Sequence, residues 1–417
     1  MTERTFQRPY LLQNTVQHYA WGMRGDRALI PRLLGMQAES GTPYAELWMG
    51  GHPKAPSQVQ MDKQTLPLNT WIARHPLDIL GFQCYNRFGD RLPFLFKVLS
   101  AAEALSIQAH PDKVQAQKLH DQHPQHYPDD NHKPEIAIAL DRLTALVGFR
   151  SLPELWSMIQ SYPPFRPYLG QDVINLIYRS QHESFDKQKH CLRMLYTRVM
   201  RKAVDDQQAL SETLQAMENY ISGKNHPSAD EDNYFLSLRK KYGDDVGLLS
   251  LFLLNRIELQ NGQGVFLGPG IPHAYLQGNI VECMANSDNV VRAGLTPKHK
   301  DTETLLNILT YEPGFPKIYT PDNQNTHTVY HPPVEEFAVE RYQIKADEAL
   351  NISTYNRVQI WLTLRGQGTL TWPHDSMIIN QGQVVLIPAS LNHFTWHSQE
   401  NMEFYMATVP PSQGSFP

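Results

Sequence analysis

The sequence predicts a mainly β protein with a helical insertion: two jelly-roll β-barrels plus an α-helical domain. Three observations carry this. Short apolar runs broken by Pro, Gly, Asn and Asp dominate up to about residue 150. A helical period replaces them from Leu152 to about Asn255 and then gives way to strand texture again. Two distant stretches, "GVFLGPGIPH" and "QVVLIPASLNH", repeat one design: an apolar strand, a Pro, and a His four or five residues beyond the Pro. A repeat of that kind points to two related β-units rather than one large sheet, and short strands with Gly/Pro turns favour jelly rolls.

In chain order, residues 1–150 contain "ELWMGGHPKAP", "LPFLFKVLS" and "EIAIAL", each a short apolar run bounded by turn residues. Residues 151–255 carry stripes at i, i+3, i+4 and i+7: Leu152, Leu155, Trp156 and Ile159; Leu192, Leu195, Tyr196 and Val199; Leu210, Leu214, Met217 and Ile221. These are packing faces, since burying an apolar stripe is what amphipathic helices do. Residues 256–320 return to strands and complete the first β-unit with 1–150. "YTPDNQNTHTVYHPP" reads as a polar, Pro-rich linker into a second β-unit, 321–417. That unit has His393 and His397 without a Gln-x-His or His-x-His partner upstream, and is read as non-catalytic.

Composition bounds the function. The 417 residues suit two or three domains, and 41% hydrophobic with 19% charged residues supplies material for packed cores. A formal charge of −5 argues against a nucleic-acid or anionic-membrane binder. Three cysteines (Cys84, Cys191, Cys283), far apart, suit a reducing compartment and offer no thiolate metal site. No apolar run approaches the ~18 residues of a spanning helix, and the start lacks a signal-peptide core, so a cytoplasmic protein is expected.

The chemistry starts in "LSIQAHPDK". On a strand, Ser106, Gln108 and His110 share one face, which is either a wet surface or the polar floor of a site. In "NHKPEIAIAL", Lys133 and Glu135 fall on the side opposite Ile136, Ile138 and Leu140. His273 follows the stiff turn "GPGIPH". Two histidines and a carboxylate are a common catalytic zinc set with an open position, although Gln is an unusual fourth ligand. Singly, each piece is also what a hydrogen-bonded structural His or a solvated strand supplies. The His-rich run "HDQHPQHYPDDNH" reads as a solvated loop.

Seven stretches then carry a family resemblance: "QHYAWG", "AELWMGGHPKAPS", "LPFLFKVLS", "LSIQAHPDK", "DDNHKPE", "PHAYLQG" and "ECMANSDNVVRAGLTPKHKD". In these, and over nearly its whole length, the chain resembles the type I phosphomannose isomerases (mannose-6-phosphate isomerases) of the cupin superfamily. The resemblance implies a catalytic cupin-like jelly roll, a helical insertion and a smaller C-terminal jelly roll. It implies one Zn²⁺ per chain, held by Gln108, His110, Glu135 and His273. It implies catalytic roles for Arg292, Lys133 and Asp288, the last two competing as the base, and substrate contacts from Ser106, Lys97, Tyr275, Glu282 and Lys298. The implied reaction interconverts mannose 6-phosphate and fructose 6-phosphate through a cis-enediol, feeding mannose and GDP-mannose metabolism. A monomer acting on a small phosphosugar is expected, without nucleic-acid or membrane partners. On the residues alone two other classes stay open: a cupin metal oxygenase and a non-catalytic sugar-binding cupin.

Overall fold

The long strand His273–Ala285 organises the molecule. The structure, a computed structural model, describes residues 6–61, 64–224, 230–322 and 325–411. Residues 1–5 and 62–63 of the first unit, 225–229 of the helical insertion, 323–324 of the linker and 412–417 of the second unit lie outside the described residues. The first half of the strand pairs antiparallel with Leu143–Phe149, and the second half lies between Glu135–Ala139 and Phe94–Ala101. The change of partner falls at Gly278, whose φ of +132° and approach to Arg142 leave no room for a side chain: a Cβ would stand 2.6 Å from the Arg142 carbonyl oxygen. Phe94–Ala101 also pairs with Glu46–Gly50, and Glu135–Ala139 with Gly264–Leu267, within a sheet of eleven strands.

Alternation in Glu135–Ala139 sorts its side chains as read from sequence. Ile136 and Ile138 enter one apolar core; Ala137 and Ala139 enter another with Leu143, Val147 and Val265.

The helices of residues 152–253 lie between Leu143–Phe149 and Leu254–Leu259, two strands that pair with each other, so this helical segment is a topological insertion. Its main helices are Leu152–Ser161, Gln171–Ser180, Phe185–Asp205, Gln207–Ser222 and Asp230–Tyr242. The three stripes are buried in one core, with only Trp156 partly exposed. At ~1.5–3 kcal/mol per buried large apolar side chain, such stripes dominate the helices' stability over intrinsic propensity.

The C-terminal strands behave differently from the sequence division. The strands His327–Tyr330, Ala338–Ile344, Met402–Thr408, Gln359–Arg365 and Val384–Ile387 form a sheet that continues into Tyr10–Gln13, Gln58–Met61 and Gln64–Pro67. Leu12 pairs with Val384 and Val59 on either side. The boundary at 321 therefore does not coincide with a sheet boundary. The reason is physical: Val384–Ile387 has an edge to satisfy, and Tyr10 and Leu12 have apolar faces to bury. Part of the linker is itself strand, His327–Tyr330 pairing with Ala338–Ile344. A separate four-stranded sheet carries His393–Ser398, with His393 and His397 exposed. All three cysteines are buried and free, and no helix among the described residues is long and apolar enough to cross a membrane.

Candidate metal centre and its cavity

His110, Glu135 and His273 converge from three separate strand ends. His110 directly follows the strand Ile107–Ala109 and precedes a helix, Lys113–Gln122, whose start is locked by a capping box between Asp112 and Gln115. Glu135 opens its strand behind Pro134. His273 opens the long strand behind Pro272, its backbone in register with Gln108. The ligand atoms of the three residues lie within 4.8 Å of one another, and all three residues are buried.

The hydrogen bonding dictates which atoms face inward. His110 Nδ1 lies 2.8 Å from the Asn289 carbonyl oxygen and His273 Nδ1 lies 2.9 Å from that of Ile271. Each ring donates from Nδ1, leaving the Nε2 lone pair pointing to the centre. His110 Nε2 stands 3.6 Å from one Glu135 oxygen and His273 Nε2 stands 3.4 Å from the other. Both Nε2 atoms and Glu135 Oε2 lack any hydrogen-bond partner among the described residues. Three buried electron-rich atoms facing one another without a donor cost several kcal/mol unless a cation neutralises them, so the residues fit a metal ion. Burial pushes the His110 imidazole down to about 4, despite Glu135, keeping it in the neutral form that ligates. For Glu135, burial works upward but Lys133 and His110 outweigh it, holding the carboxyl well below the usual range. Lys133 Nζ is 3.0 Å from Glu135 Oε1.

Above this cluster opens a cavity of about 1130 Å³. Ser106, Gln108, Lys133, Tyr275, Asp288, Arg292 and Lys298 line it, as do Lys97 and Glu282. The polar face read from "LSIQAH" is thus a cavity floor, while Ile107 and Ala109 point into the core beside the helices. His110 and His273 lie beneath this lining. Gln108 is in register with His273 on one side and Arg292 on the other.

One wall is a buried charge network. Strand register sets Trp48 opposite Lys97 and Lys97 opposite Glu282. Lys97 Nζ lies 3.3 Å from Glu282 and 3.4 Å from Glu46, and 5.1 Å from the centre of the Trp48 ring. Burial alone would discharge this lysine; Glu46 and Glu282 overcome it and hold the ammonium above its usual pKa. Tyr275 donates its hydroxyl to Glu282 at 2.8 Å. Burial, and then the charge of Glu135, raise the Glu282 carboxyl.

The opposite wall is less paired. Arg292 is half-buried, makes no ion pair among the described residues, and is lowered by burial from the ordinary arginine value. Lys298 is exposed at the rim. Asp288 is engaged with Lys54 at 2.9 Å and His52 at 3.6 Å; burial acts upward, but Lys54 and His52 hold its carboxyl below the usual range.

Sequence reasoning did not single out Glu46, Trp48, Lys54 or Asn289, although all stand in the stretches quoted above. The signal for the first pair was alternation, which puts Glu46 and Trp48 on one strand face. For Asn289 there was none, because it is a backbone carbonyl that holds His110. In the His-rich run, His123 and His126 are exposed as expected, but His126 stacks on His299 at the cavity rim and His132 binds Glu336 at 2.7 Å.

Comparison with known proteins places the chain among relatives. The model of the "Phosphomannose isomerase type I, catalytic domain" family matches residues 10–152. The chain is 36% identical over 409 residues to mannose-6-phosphate isomerase 2 of Arabidopsis thaliana, covering 94% of this chain and 92% of that one. It is 36% identical over 403 residues to the mannose-6-phosphate isomerase of Mus musculus, covering 92% and 94%. Among solved structures, the Salmonella typhimurium mannose 6-phosphate isomerase bound to its substrate fructose 6-phosphate and zinc superposes with a TM-score of 0.81 at 28% identity. That match covers 97% of this chain and 100% of the other. The sheet-rich, helix-bearing fold is theirs, and the chain belongs to the type I phosphomannose isomerase family.

Proposed function

We propose that this protein is a zinc-dependent isomerase that interconverts mannose 6-phosphate and fructose 6-phosphate through a cis-enediol, and so feeds mannose and GDP-mannose metabolism. The observation that carries the reading is the convergence of His110 Nε2, Glu135 Oε2 and His273 Nε2, buried and partnerless, beneath a cavity lined by Lys133, Arg292 and Lys298. Family membership and the relatives named above supply the substrate class.

His110, Glu135, His273 and Gln108 would hold the ion. Zn²⁺ on one carboxylate and neutral ligands keeps positive charge suited to polarising sugar oxygens. The remaining work falls to the chain's own groups. An aldose–ketose conversion takes a proton from one carbon and returns it to its neighbour, while a hydroxyl and a carbonyl exchange places. Lys133 is assigned to the proton transfer because its amine sits at the ligand cluster; it must first give up its own proton. Asp288 is the weaker candidate, since Lys54 and His52 stabilise its charged form and blunt its basicity. Arg292, half-buried and without an ion pair among the described residues, stabilises negative charge on the enediol oxygens, a task for a permanent cation and not for a base. Ser106, Lys97, Tyr275 and Glu282 shape the wall that the sugar meets, and the rim Lys298 takes the phosphate, so that remote binding energy organises the reacting carbons. Two jelly-roll units, with catalysis confined to the first and 151–255 as a helical domain, are the arrangement we infer for these strands.

Purified protein should convert mannose 6-phosphate, lose that activity on chelation and regain it with zinc. Elemental analysis should give one zinc per chain, and Glu135→Gln should lower zinc affinity at least tenfold with the circular-dichroism spectrum preserved. Full turnover by metal-free protein would overturn the reading. A non-catalytic sugar-binding cupin would show binding without turnover.

A further inference from the structure

The segment that carries Arg292 and Lys298 is not held by the β-sheets alone. It is fastened to the helical insertion at one buried carboxylate, Asp245, in the turn after the helix Asp230–Tyr242. Asp245 Oδ1 accepts the Leu295 N–H at 2.7 Å and the Gly247 N–H at 2.8 Å. Its other oxygen accepts from Lys300 Nζ at 2.9 Å. The carboxylate is 6% exposed, so it is withdrawn from water and its bonds are made to the protein.

Two further features mark the junction as built for close contact. Leu295 adopts a left-handed backbone, φ +54°, which a branched side chain avoids unless its surroundings impose it. It is the N–H of this same residue that Asp245 accepts. Gly294 and Gly247 meet backbone to backbone: a Cβ on Gly294 would lie 2.4 Å from the Gly247 Cα, and one on Gly247 would lie 2.7 Å from the Leu295 nitrogen. Neither position tolerates even alanine without the two segments parting. The turn so fixed lies three residues after Arg292 and three before Lys298, and Leu295 and Thr296 themselves line the cavity.

We infer that Asp245 is a positioning residue: through Leu295 and Gly294 it sets where Arg292 and Lys298 stand over the cavity, which makes the helical insertion part of the substrate-binding device. This rests on the function proposed above. Asp245 touches neither the ligand cluster nor the cavity, so its effect runs through the turn.

The test uses full-length, zinc-loaded protein with three readouts: zinc content, kcat and KM on mannose 6-phosphate, and affinity for inorganic phosphate. Asp245→Ala is expected to keep its zinc, lose at least tenfold in kcat, and bind phosphate at least threefold more weakly. Asp245→Asn retains an Oδ1 acceptor for both N–H groups and should stay within threefold of the parent. Gly294→Ala should reproduce the alanine defect with Asp245 in place. A merely structural role would lower thermal stability and leave the constants of the folded, zinc-loaded fraction alone. That outcome, or zinc lost in step with activity, overturns the inference. Should Asp245→Ala not fold, Asp245→Asn decides: a tenfold loss there with zinc intact overturns it. A parent protein inactive on mannose 6-phosphate would sink the proposed function, whereas the phosphate measurement on the same variants would still judge the positioning role.

Discussion

Arg292 and Lys97 are two cations in one cavity with opposite surroundings. Lys97 is sandwiched between Glu46 and Glu282, so its charge is spent on the wall. Arg292 has no such partner among the described residues, and it lines the cavity. Arg292→Ala should therefore cost on the order of a hundredfold in kcat, comparable to removing an oxyanion donor. Arg292→Lys keeps the charge without the planar fork and should recover only part of it. Zinc content should stay at the parent level in both, because Arg292 is not among the converging ligand atoms. Near-normal turnover by the alanine variant in a steady-state assay would reassign the residue to structure.

Among elements, the strand His273–Ala285 does the most positioning. Its first residue is a proposed ligand, Tyr275 and Glu282 face the cavity, and it changes partners at Gly278. That change needs a backbone only glycine adopts readily, in a space closed by Arg142 and Leu143. Gly278→Ala is expected to destabilise the protein by about 1–3 kcal/mol from the backbone conformation, with the steric clash adding to it. Thermal denaturation followed by circular dichroism would show the lowered midpoint. An unchanged midpoint would mean that the strand can bend there without glycine.

Across the whole molecule, the N-terminal and C-terminal portions are interleaved. Tyr10–Gln13 lies between Val384–Ile387 and Gln58–Met61, and Arg87 donates to the Pro410 carbonyl oxygen. A fragment of residues 321–417 should consequently leave the edge of Val384–Ile387 and the apolar face around Leu386 and Tyr405 uncovered. Such a fragment is expected to aggregate or bind hydrophobic dye, and a monomeric, cooperatively melting fragment would contradict this. The contact between His132 and Glu336 spans the same junction. Burial works to raise the Glu336 carboxyl, but His132 outweighs it and holds the pKa below the usual carboxylate value. A depressed acid stabilises the fold above its unfolded pKa, near ~4.3, and that contribution disappears as pH falls through the folded value. The stability difference between the parent and Glu336→Gln, measured by denaturant titration, should be present at pH 6 and shrink as the pH is taken below the ordinary glutamate range. A difference that grew on acidification would refute the assignment.

Read alone, the sequence determined the helical insertion and the faces of its helices, because a 3.6-residue period is a local property: Leu192, Leu195, Tyr196 and Val199 share a face wherever the helix packs. It also nominated Gln108, His110, Glu135 and His273 as ligands, since they stand in stretches whose resemblance to a known family is carried by contiguous residues, and the structure brings His110, Glu135 and His273 together. Strand partners were not legible. Hydrogen bonds between strands join residues hundreds of positions apart, and nothing local in "YLLQ" announces Val384 as its neighbour. The supports of the site were hidden for the same reason. The Asn289 carbonyl that turns His110, the Lys54 that occupies Asp288, and the Asp245 carboxylate that fastens Leu295 act through space. Only the tertiary structure decided them, because contact, burial and an unmatched lone pair belong to the packed chain and not to any segment of it.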